Sequence, residues 1–477
     1  MALRTRSFST DDQLAFARLS GDYNPIHLDP IAARRFLFGQ PVVHGMHALL
    51  WALDGWLEAS SAPTRLARLK VRFRNSIAFN VGVELDVESK DAANVRFEVT
   101  ADGISLLTAN VAYETAASVV TPIAPQISSL IPPREACREP TSVELQSAAG
   151  QLPLCLEPAL AARLFPHAAR ALPAEQIATL LAATRVVGME APGRNSVLAG
   201  LDLRDNQSPS AERAVLSYRT EDFDERVSRL ELRLDAPGFA GTVTAFVRPE
   251  PQPQPSFNTV RALVRPDEFR GERALVIGGS RGLGELTVKL LAAGGADVWF
   301  TYHRGAADAK SVAAELAAGG AIARPFAYDV RTDAERLPTL MGDWRPTLLA
   351  YFATPYIASS ADRRFSIARF QDFAAYYVAG FGEAFAAVRG SGSDLTRVLY
   401  PSSVYVHELP LNLGEYAAAK AAAETLCQFL AKSHPDVRFH YPRLPRMATD
   451  QTASLIRSEL PEGAPILLAA LRELCAK

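Results

Sequence analysis

The sequence predicts a chain of two parts: an α+β part, in which an antiparallel sheet covers a buried helix, and an α/β part built on a doubly wound parallel sheet. Three observations lead to this prediction. In the first part, runs that alternate apolar and polar residues follow a segment of helical periodicity. Residues 249–255 alternate proline with polar residues, which is typical of an extended linker. After the linker, an apolar run leads directly into closely spaced glycines and a helical pattern.

Length and composition limit the possible functions. At about 150 residues per domain, 477 residues correspond to roughly three domains. The 50 basic and 52 acidic residues nearly balance, which argues against nucleic acid or a membrane surface as the main partner. No apolar run reaches about 18 residues, and the N-terminus leads into Asp11 and Asp12, so we expect neither a membrane span nor a signal peptide. The cysteines lack metal-ligand spacing, and we expect them to be reduced thiols of a cytoplasmic protein. They are Cys137, Cys155, Cys427 and Cys475.

The first elements along the chain are two helices and four strands. A short helix is predicted over Thr10–Leu19, capped by Thr10 or Asp11. Apolar residues recur at helical spacing over His44–Leu57, which is therefore predicted to be the buried helix. The strands that should pack one face on this helix are Arg65–Phe73, Val81–Ser89, Asn94–Ala101 and Ile104–Tyr113.

The loop between these helices carries two titratable residues, Asp22 and His27, on either side of a proline. Pro25 fixes its own φ angle and keeps Asn24 out of the helical region, so the loop should be a stiff turn that can hold both side chains at one point. Taken alone, such a pair more often forms an Asx-turn beside a solvated histidine. Asn24 and Asp29 are expected to form a turn and a helix cap rather than to take part in chemistry.

The wider segment resembles the MaoC-like, or hydratase-2, family of hotdog-fold proteins. The family motif runs Gly-Asp-x-Asn-Pro-x-His-x-Asp and is followed by His-Gly-Met. The fixed positions are met here by Gly21, Asp22, Asn24, Pro25, His27, Asp29, His44, Gly45 and Met46. The resemblance implies a hotdog fold and reversible addition of water to the 2,3 double bond of an acyl thioester, giving the (R)-3-hydroxy product.

The resemblance also implies roles for individual residues. Asp22 and His27 would be the acid–base pair, because hydration needs one group to take a proton from water and another to deliver a proton to C2. Backbone N–H groups around His44 and Gly45, at the start of the buried helix, would stabilise the enolate oxygen of the thioester.

A weaker copy of the first pattern follows a Pro-, Ser- and Ala-rich connection over Ala117–Thr141. A helix is predicted over Pro173–Arg185, and three strand-like runs after it end at Ala245–Arg248. We therefore expect a second, degenerate hotdog at 140–249 beside the first at 1–118, which together form a double hotdog. The copy has no counterpart of the acid–base pair and should be an inactive wall of the substrate tunnel.

The part after the linker, residues 257–477, begins with a nucleotide-binding pattern. The apolar strand Arg273–Ile277 runs into the pattern Gly278-x3-Gly282-x-Gly284, and a helix follows over Glu285–Ala293. Glycines permit a tight turn and let a pyrophosphate approach the helix N-terminus, where N–H groups favour anions. This pattern predicts a dinucleotide site.

Two further signals follow in order. Tyr416 and Lys420 lie four residues apart on an Ala-rich helix, hence on one face, and Ser403 lies at the end of the strand Arg397–Tyr400. With the glycine loop, they resemble the short-chain dehydrogenase/reductase family. In that family the tyrosine protonates a carbonyl oxygen as hydride arrives, the lysine lowers the pKa of the tyrosine and holds the ribose, and the serine orients the carbonyl. Without the loop, the pair would more often be solvated.

The resemblance implies a nicotinamide cofactor, and charge favours NADPH. An acidic residue usually follows the second strand where NAD binds, whereas a 2′-phosphate repels carboxylates. Here His303 and Arg304 follow that strand, and Arg281 lies in the glycine loop. Asp329 matches the family's adenine contact. The expected cofactor-binding residues are Gly278, Ser280, Arg281, Gly282, Leu283, Gly284, His303, Arg304, Asp329, Ala353, Tyr416 and Lys420.

Several positions depart from the short-chain dehydrogenase pattern. Tyr377 stands at the position of the active-site asparagine, and Arg443 at the glycine of the nicotinamide loop. Ile277 replaces the usual threonine before the first glycine, and Tyr351–Thr354 replaces Asn-Asn-Ala-Gly. Loss of the asparagine would weaken the water relay to Lys420, so these departures leave open a reduced or altered reductase activity.

The combined expectation is a bifunctional enzyme that reduces a 3-oxoacyl thioester with NADPH and interconverts the (R)-3-hydroxyacyl and trans-2-enoyl thioesters, with no metal. CoA and acyl carrier protein both remain open as the thioester carrier. Two alternatives remain: only the hydratase part is catalytic, or both parts form a module that docks carrier proteins. A homo-oligomer is expected through the small residues Ala418, Ala421 and Ala422 of the Tyr416 helix.

Overall fold

The computed structural model describes residues 3–59, 62–115, 127–206, 214–357, 364–392, 394–452 and 459–476. The chain forms two units that divide between Glu250 and Pro251, within the proline-alternating segment. Residues 248–256 are neither helix nor strand, as expected of that segment. Of the predicted Pro-rich connection over Ala117–Thr141, residues 117–126 lie outside the described residues.

The first unit is built on one ten-stranded antiparallel sheet, whose two halves have the same strand order. The first half runs β1-β3-β4-β5-β2 and the second runs β6-β8-β9-β10-β7. The halves join where β2 pairs with β7, with Leu69 opposite Leu203. The strands of the first half are β1 (Arg4–Ser7), β2 (Thr64–Phe73), β3 (Gly82–Ser89), β4 (Asn94–Ala101) and β5 (Ile104–Thr115). Those of the second are β6 (Ala149–Pro153), β7 (Ser196–Asn206), β8 (Val215–Asp224), β9 (Arg229–Ala236) and β10 (Gly238–Val247).

Each half contributes one long buried helix to a shared hydrophobic core. In the first half this is α4 (Gly45–Leu57), which is apolar almost all round, as expected of a helix enclosed on several sides. In the second half it is α8 (Ala174–Arg185), buried from Gln176 to its end and continued by a π-helical turn, Val186–Glu190. The shorter helices are α1 (Thr10–Ser20), α2 (Pro25–Leu28), α3 (Pro30–Ala33), α5 (Ser142–Leu145), α6 (Pro158–Leu164) and α7 (Pro166–Ala171).

The second unit is an α/β unit with a six-stranded parallel sheet in the order β13-β12-β11-β14-β15-β17. In chain order this is 3-2-1-4-5-6, the order of dinucleotide-binding sheets. Its strands are β11 (Arg273–Ile277), β12 (Asp297–Tyr302), β13 (Ala323–Ala327), β14 (Leu348–Tyr351), β15 (Arg397–Leu399), β16 (Ser402–Ser403), β17 (Arg438–His440) and β18 (Arg443–Leu444). Its helices are α9 (Phe257–Arg261), α10 (Gly282–Ala293), α11 (Ala306–Ala318), α12 (Leu337–Met341), α13 (Ile367–Ala374), α14 (Phe381–Gly390), α15 (Tyr405–Glu408), α16 (Gly414–Ser433) and α17 (Gly463–Cys475).

The strands predicted after the central helix are present within two residues of their predicted ends. The two edge strands of the large sheet, β1 and β6, were not predicted, because each is only four or five residues long and carries no clear alternation. The cap of α1 is Ser9 rather than Thr10 or Asp11: its hydroxyl accepts the N–H of Asp12, whose carboxylate accepts the N–H of Ser9 in return. Among the described residues, no helix is both long and apolar enough to cross a membrane.

Candidate active sites

The loop carrying Asp22 and His27 is held rigidly at both ends. Helix α1 ends at Gly21, whose φ of 78° is in the left-handed region that glycine adopts at low cost. The side chain of Asn24 accepts the N–H of Ile26 at 3.1 Å and so caps α2, which begins at Pro25. The predicted turn is therefore present, and it fixes the two titratable residues on either side of a proline.

Asp22, His27 and His44 converge at one point, and their potential ligand atoms lie within 4.8 Å of one another. The imidazole rings of His27 and His44 stack at 3.7 Å between centroids. The Nδ1 atom of His27 lies 2.7 Å from the carbonyl oxygen of Val42. Because a carbonyl only accepts hydrogen bonds, Nδ1 carries the proton in the neutral ring, and Nε2 keeps a free lone pair for proton transfer.

Burial shifts the pKa values of this pair in opposite directions. The carboxylate of Asp22 is almost fully buried, and desolvation raises its pKa, although His27 and a hydrogen bond from Thr184 act against this. Desolvation lowers the pKa of His27, and the charge of Asp22 acts against that shift. The two groups are thereby brought closer together in proton affinity, which is the condition for exchanging protons with a substrate near neutral pH.

The second half of the sheet completes this site, although it carries no acid–base pair of its own. Thr184, near the end of α8, donates its hydroxyl to Oδ2 of Asp22 at 2.8 Å. In the π-helical turn, Gly188 packs against the same carboxylate so closely that a Cβ atom there would lie 2.2 Å from Oδ1. The carbonyl of Gly188 also accepts the side-chain N–H of Asn24 at 2.9 Å. No motif in the sequence pointed to Thr184 or Gly188.

Gln13 of α1 positions His44 and was also missed. Its Oε1 accepts the backbone N–H of His44 at 3.0 Å and lies 2.9 Å from Nδ1 of that ring, while its Nε2 contacts His47. The signal available in the sequence was a glutamine on the apolar face of α1, in line with Phe16 and Ala17.

The amide of His44 cannot serve as an oxyanion donor, contrary to the expectation that it would share this role with Gly45, because Gln13 already accepts its hydrogen. The N–H of Gly45, the first residue of α4, has no acceptor among the described residues. A Cβ atom at Gly45 would approach the ring of Phe73 to 3.0 Å, so only glycine fits there without a shift of that ring. The geometry therefore favours the N–H of Gly45 over that of His44 as the donor to a thioester oxygen.

The cluster of one carboxylate and two imidazoles has a composition that could bind a metal ion, but its geometry does not favour one. Both ring nitrogens of His44 lie within hydrogen-bond distance of an oxygen, that of Gln13 or the backbone oxygen of Asp22. The donor set suits proton transfer better, and the absence of a metal requirement stays a prediction.

In the second unit, the glycine loop has the geometry that a dinucleotide requires. Gly278 adopts a φ of 84°, and a Cβ atom there would lie 2.8 Å from the backbone nitrogen of Ala353. A Cβ atom at Gly284 would lie 2.1 Å from the carbonyl oxygen of Gly278. Helix α10 begins at Gly282, so its first N–H groups face the loop. These residues fit the pyrophosphate of a nicotinamide dinucleotide.

The basic residues expected at a 2′-phosphate are partly engaged with carboxylates. Arg281 pairs with Asp450 at 2.7 Å, and His303 lies 3.2 Å from Asp329, which also pairs with Arg331. Arg304 is exposed beside them. Ser280 is buried and Leu283 half-buried, both within or next to the loop, and their contact with a cofactor stays a prediction.

Ser403, Tyr416 and Lys420 lie together at the carboxyl ends of the central strands. Burial raises the pKa of Tyr416 to about 12, and a hydrogen bond with Ser403 lowers it only in part. Burial lowers the pKa of Lys420 to about 7. The ammonium of Lys420 donates to the carbonyl of Pro401 at 2.8 Å. Burial therefore disfavours the phenolate form of Tyr416 and the ammonium form of Lys420 relative to free side chains.

Tyr377, at the position of the family's asparagine, is part of a π-helical turn and packs directly against this centre. Its ring lies 4.1 Å from Nζ of Lys420, and Tyr400 lies on the same amine at 4.8 Å. Its hydroxyl forms a 2.6 Å hydrogen bond with Thr354. Arg443 is held by the carboxylate of Glu424 through two hydrogen bonds of 2.8 and 2.6 Å. Both departures from the family pattern are thus built into the packing.

Comparison with known proteins identifies both parts. Residues 2–109 match the MaoC like domain family, and residues 272–346 match the short chain dehydrogenase family. The chain is similar to the (R)-specific enoyl-CoA hydratase of Aeromonas caviae, with 35% identity over 97 residues, covering 20% of this chain and 66% of that enzyme. It is also similar to the peroxisomal hydratase-dehydrogenase-epimerase of Saccharomyces cerevisiae, with 39% identity over 66 residues, covering 14% of this chain and 7% of that protein. The chain thus spans less than two thirds of the length of either relative.

Among solved structures, the second unit is similar to a short chain dehydrogenase from Burkholderia cenocepacia determined in complex with NADP. The identity is 26%, the similarity covers 43% of this chain and 90% of that one, and the TM-score is 0.37.

Proposed function

From a chain that carries a MaoC-like domain at its N-terminus and a short-chain dehydrogenase domain towards its C-terminus, we infer a bifunctional enzyme of acyl thioester metabolism. The first domain hydrates trans-2-enoyl thioesters, or dehydrates the corresponding (R)-3-hydroxyacyl thioesters. The second reduces 3-oxoacyl thioesters to the same (R)-3-hydroxyacyl compounds with NADPH. The two reactions share one intermediate, which is a chemical reason for joining them in one chain.

The observation that carries the hydratase proposal is the convergence of Asp22 and His27 with His44, which directly precedes Gly45, whose N–H has no acceptor in the part of the chain that the structure describes. In hydration, one member of the pair takes a proton from water as the oxygen attacks C3, and the other delivers a proton to C2. The N–H of Gly45 donates to the thioester oxygen, on which negative charge develops. Thr184 and Gly188 of the second half hold the carboxylate of Asp22 in place.

In the reductase domain, bound NADPH would supply the hydride. Tyr416 donates the proton to the substrate oxygen, Ser403 orients that oxygen, and Lys420 stabilises the phenolate that remains. Arg304, the exposed basic residue after β12, is proposed to contact the 2′-phosphate. Arg281 and His303 would join it by leaving their carboxylate partners, Asp450 and Asp329, for the phosphate.

The proposed organisation has three domains: a hotdog at 1–118, a degenerate hotdog at 140–249 and the short-chain dehydrogenase domain at 257–477. The identical strand order of the two half-sheets supports a double hotdog. We further propose a cytoplasmic homo-oligomer that contacts its neighbour through the exposed side of α16, where Ala422 is exposed and Ala418 and Ala421 are half-buried.

One experiment tests both activities on the purified chain. Crotonyl-CoA is supplied without nucleotide, and hydration is followed by the loss of enoyl absorbance, with the chirality of the product determined. Acetoacetyl-CoA is then supplied with NADPH or NADH, and oxidation of the nucleotide is recorded. We expect (R)-3-hydroxybutyryl-CoA from both assays and faster oxidation of NADPH. An (S) product, or no reaction in either assay, with CoA or carrier protein as the thiol, would reject the proposal.

The alternative is an enzyme in which only the hydratase domain is catalytic, and one observation favours it. Lys420 lies against two aromatic rings where the family has a polar asparagine, so its charge is poorly supported. The Tyr416→Phe variant decides between the two. Under the bifunctional proposal it loses oxidation of NADPH by 100-fold or more, roughly the contribution of a general acid, and keeps hydration unchanged. If wild type oxidises no NADPH with any 3-oxoacyl thioester, the alternative is correct.

A further inference from the structure

Arg248, the residue after β10, is a buried cation whose hydrogen bonds are incomplete. The residue is 1% exposed. Its Nη2 donates to the carbonyl of Arg194, and its backbone N–H donates to Asn195 at 2.8 Å. Its Nε and Nη1 atoms, which carry three N–H bonds between them, have no acceptor among the described residues.

An unpaired guanidinium is costly to bury, and it cannot avoid that cost by losing its proton at neutral pH. Burial lowers the pKa of Arg248 only to about 10, so the side chain stays charged. Glu139, one of the carboxylates near it, is already paired with Arg194 at 2.8 Å. A positive group with free donors therefore remains inside the first unit, where an oxygen ligand would satisfy it.

The position of Arg248 relates it to the hydratase site. Its guanidinium stacks on the ring of Phe36, 3.6 Å from the centroid. Phe36 packs in one small apolar cluster with Val42, whose carbonyl holds Nδ1 of His27. The charge of Arg248 also acts on the imidazole of His27 and lowers its pKa. Arg248 is thus near the acid–base pair. It packs against Phe36, whereas Gly45 packs against Phe73, so the two residues have different neighbours.

We propose that Arg248 binds a carboxylate or carbonyl oxygen carried by the acyl chain, so that the site selects enoyl thioesters with an oxygen substituent beyond the reacting carbons. The proposal rests on the proposed hydratase function, in which the N–H of Gly45 takes the thioester oxygen and leaves Arg248 for a second oxygen. A plain hydrocarbon chain would leave the buried guanidinium unpaired, so Arg248 would add nothing to the affinity for such a thioester.

Binding of saturated thioesters tests this selection without any need for turnover. Three thioesters with acyl chains of five carbons are compared. Pentanoyl-CoA ends in a methyl group, 4-oxopentanoyl-CoA has a ketone at the carbon before its terminal methyl group, and glutaryl-CoA ends in a carboxylate. Calorimetric titration of the full chain should show glutaryl-CoA, 4-oxopentanoyl-CoA or both binding about 10-fold or more tightly than pentanoyl-CoA, as expected for charge-assisted hydrogen bonds. A preference for glutaryl-CoA identifies the carboxylate as the ligand, and a preference for 4-oxopentanoyl-CoA identifies the carbonyl. Equal affinity for all three overturns the proposal.

Variants assign the preference to this residue rather than to the second unit, which also binds thioesters under the proposed function. Arg248→Met should lose the preference and keep the affinity for pentanoyl-CoA within about 3-fold, because its apolar chain still covers Phe36. Arg194→Met, which removes a neighbouring arginine paired at the surface, should keep the preference. Arg248→Lys retains the charge and serves if the methionine variant does not fold, with an intermediate preference expected. A methionine or lysine variant with the full preference of wild type, or one that weakens all three ligands equally, contradicts the assignment.

Hydration assays separate this inference from the function on which it rests. If trans-2-pentenoyl-CoA is hydrated but the saturated analogues bind without preference, only the assignment of Arg248 fails. If no enoyl thioester is hydrated while the preference in binding depends on Arg248, the hydratase function fails and the oxygen-binding role stands.

Discussion

The two candidate centres are buried to a similar degree but differ in what compensates the burial. In the first unit, desolvation raises the pKa of Asp22 and lowers that of His27, and each charge offsets the shift of the other. In the second unit, desolvation raises the pKa of Tyr416 to about 12 and lowers that of Lys420 to about 7. Lys420 faces a carbonyl and two aromatic rings instead of a carboxylate.

The difference is that the titratable groups of the first centre offset each other's charge, whereas the lysine of the second has a carbonyl but no carboxylate in hydrogen-bond contact. An ammonium buried without a paired anion tends to lose its proton. We expect the first centre to tolerate few substitutions, because Thr184 and Gly188 are in direct contact with Asp22. We expect the activity of the second centre to depend on its bound ligand and on pH.

Replacing Asp22 by asparagine should have the largest effect, since it removes a proton-transfer group but keeps the size of the side chain. Hydration of crotonyl-CoA should fall by roughly 10²–10⁴-fold, the usual contribution of general acid–base catalysis. Asp29→Asn is the matched control: Asp29 is exposed, accepts two N–H bonds at the start of α3, and asparagine caps helices equally well. Equal activity of the two variants would contradict the role of Asp22.

Gly188→Ala tests the contribution of the second half of the sheet. The added methyl group would meet Oδ1 of Asp22 at 2.2 Å and must displace the carboxylate. A displacement of about 1 Å at a catalytic group can cost roughly 100-fold in rate, and we expect a loss of that size in kcat/KM for hydration. Gly82→Ala, on a strand where a Cβ atom would meet nothing within 4 Å, is the control. A fully active Gly188→Ala enzyme would show that the second half does not shape the site.

Thr184→Val should have a smaller effect, which depends on pH. The hydroxyl of Thr184 stabilises the charged form of Asp22, so its removal raises the pKa of that carboxyl further. If the carboxylate is the active form, the acid side of the profile of kcat/KM against pH moves to higher pH. Hydrogen bonds to charged groups contribute about 1.5–3 kcal/mol, so the acid side of the profile should move by roughly one pH unit or more. A Thr184→Val profile that coincides with that of wild type would contradict this account. Thr179→Val is the control: it removes a hydroxyl that donates to the carbonyl of Pro237, and it should leave the profile unchanged.

Tyr377→Asn addresses the other centre and should produce the smallest change at a fixed pH. The pKa of Lys420 is lowered to about 7 by burial, so its cationic form is present below that pH and is lost as pH rises through it. If the ammonium is the active form, reduction by NADPH should decline on the alkaline side from about pH 7. Replacing the ring by an amide admits water and raises the pKa of Lys420, so the decline should move to higher pH. The hydratase profile of the same variant is the control, and a reductase profile that does not move would show that Tyr377 does not control the lysine.

The sequence was sufficient for most of the fold because hydrophobic periodicity and glycine spacing act locally. The buried helix α4 and strands β2 to β5 follow from alternation and helical spacing, and the loop around Asp22 follows from the restraint that Pro25 imposes. Strands β1 and β6 did not follow, because a short edge strand gains its stability from pairing with a neighbour rather than from its own pattern.

The sequence by itself determined the candidate residues: Asp22 and His27 in one part, and Ser403, Tyr416 and Lys420 in the other. Only the tertiary structure decided what surrounds them. Thr184, Gly188 and Arg248 lie more than 150 residues from Asp22 and carry no motif, yet the joining of β2 to β7 brings their half of the sheet against the loop that carries Asp22. The physical reason is that desolvation and hydrogen bonding depend on distance in space, which no local pattern of residues encodes.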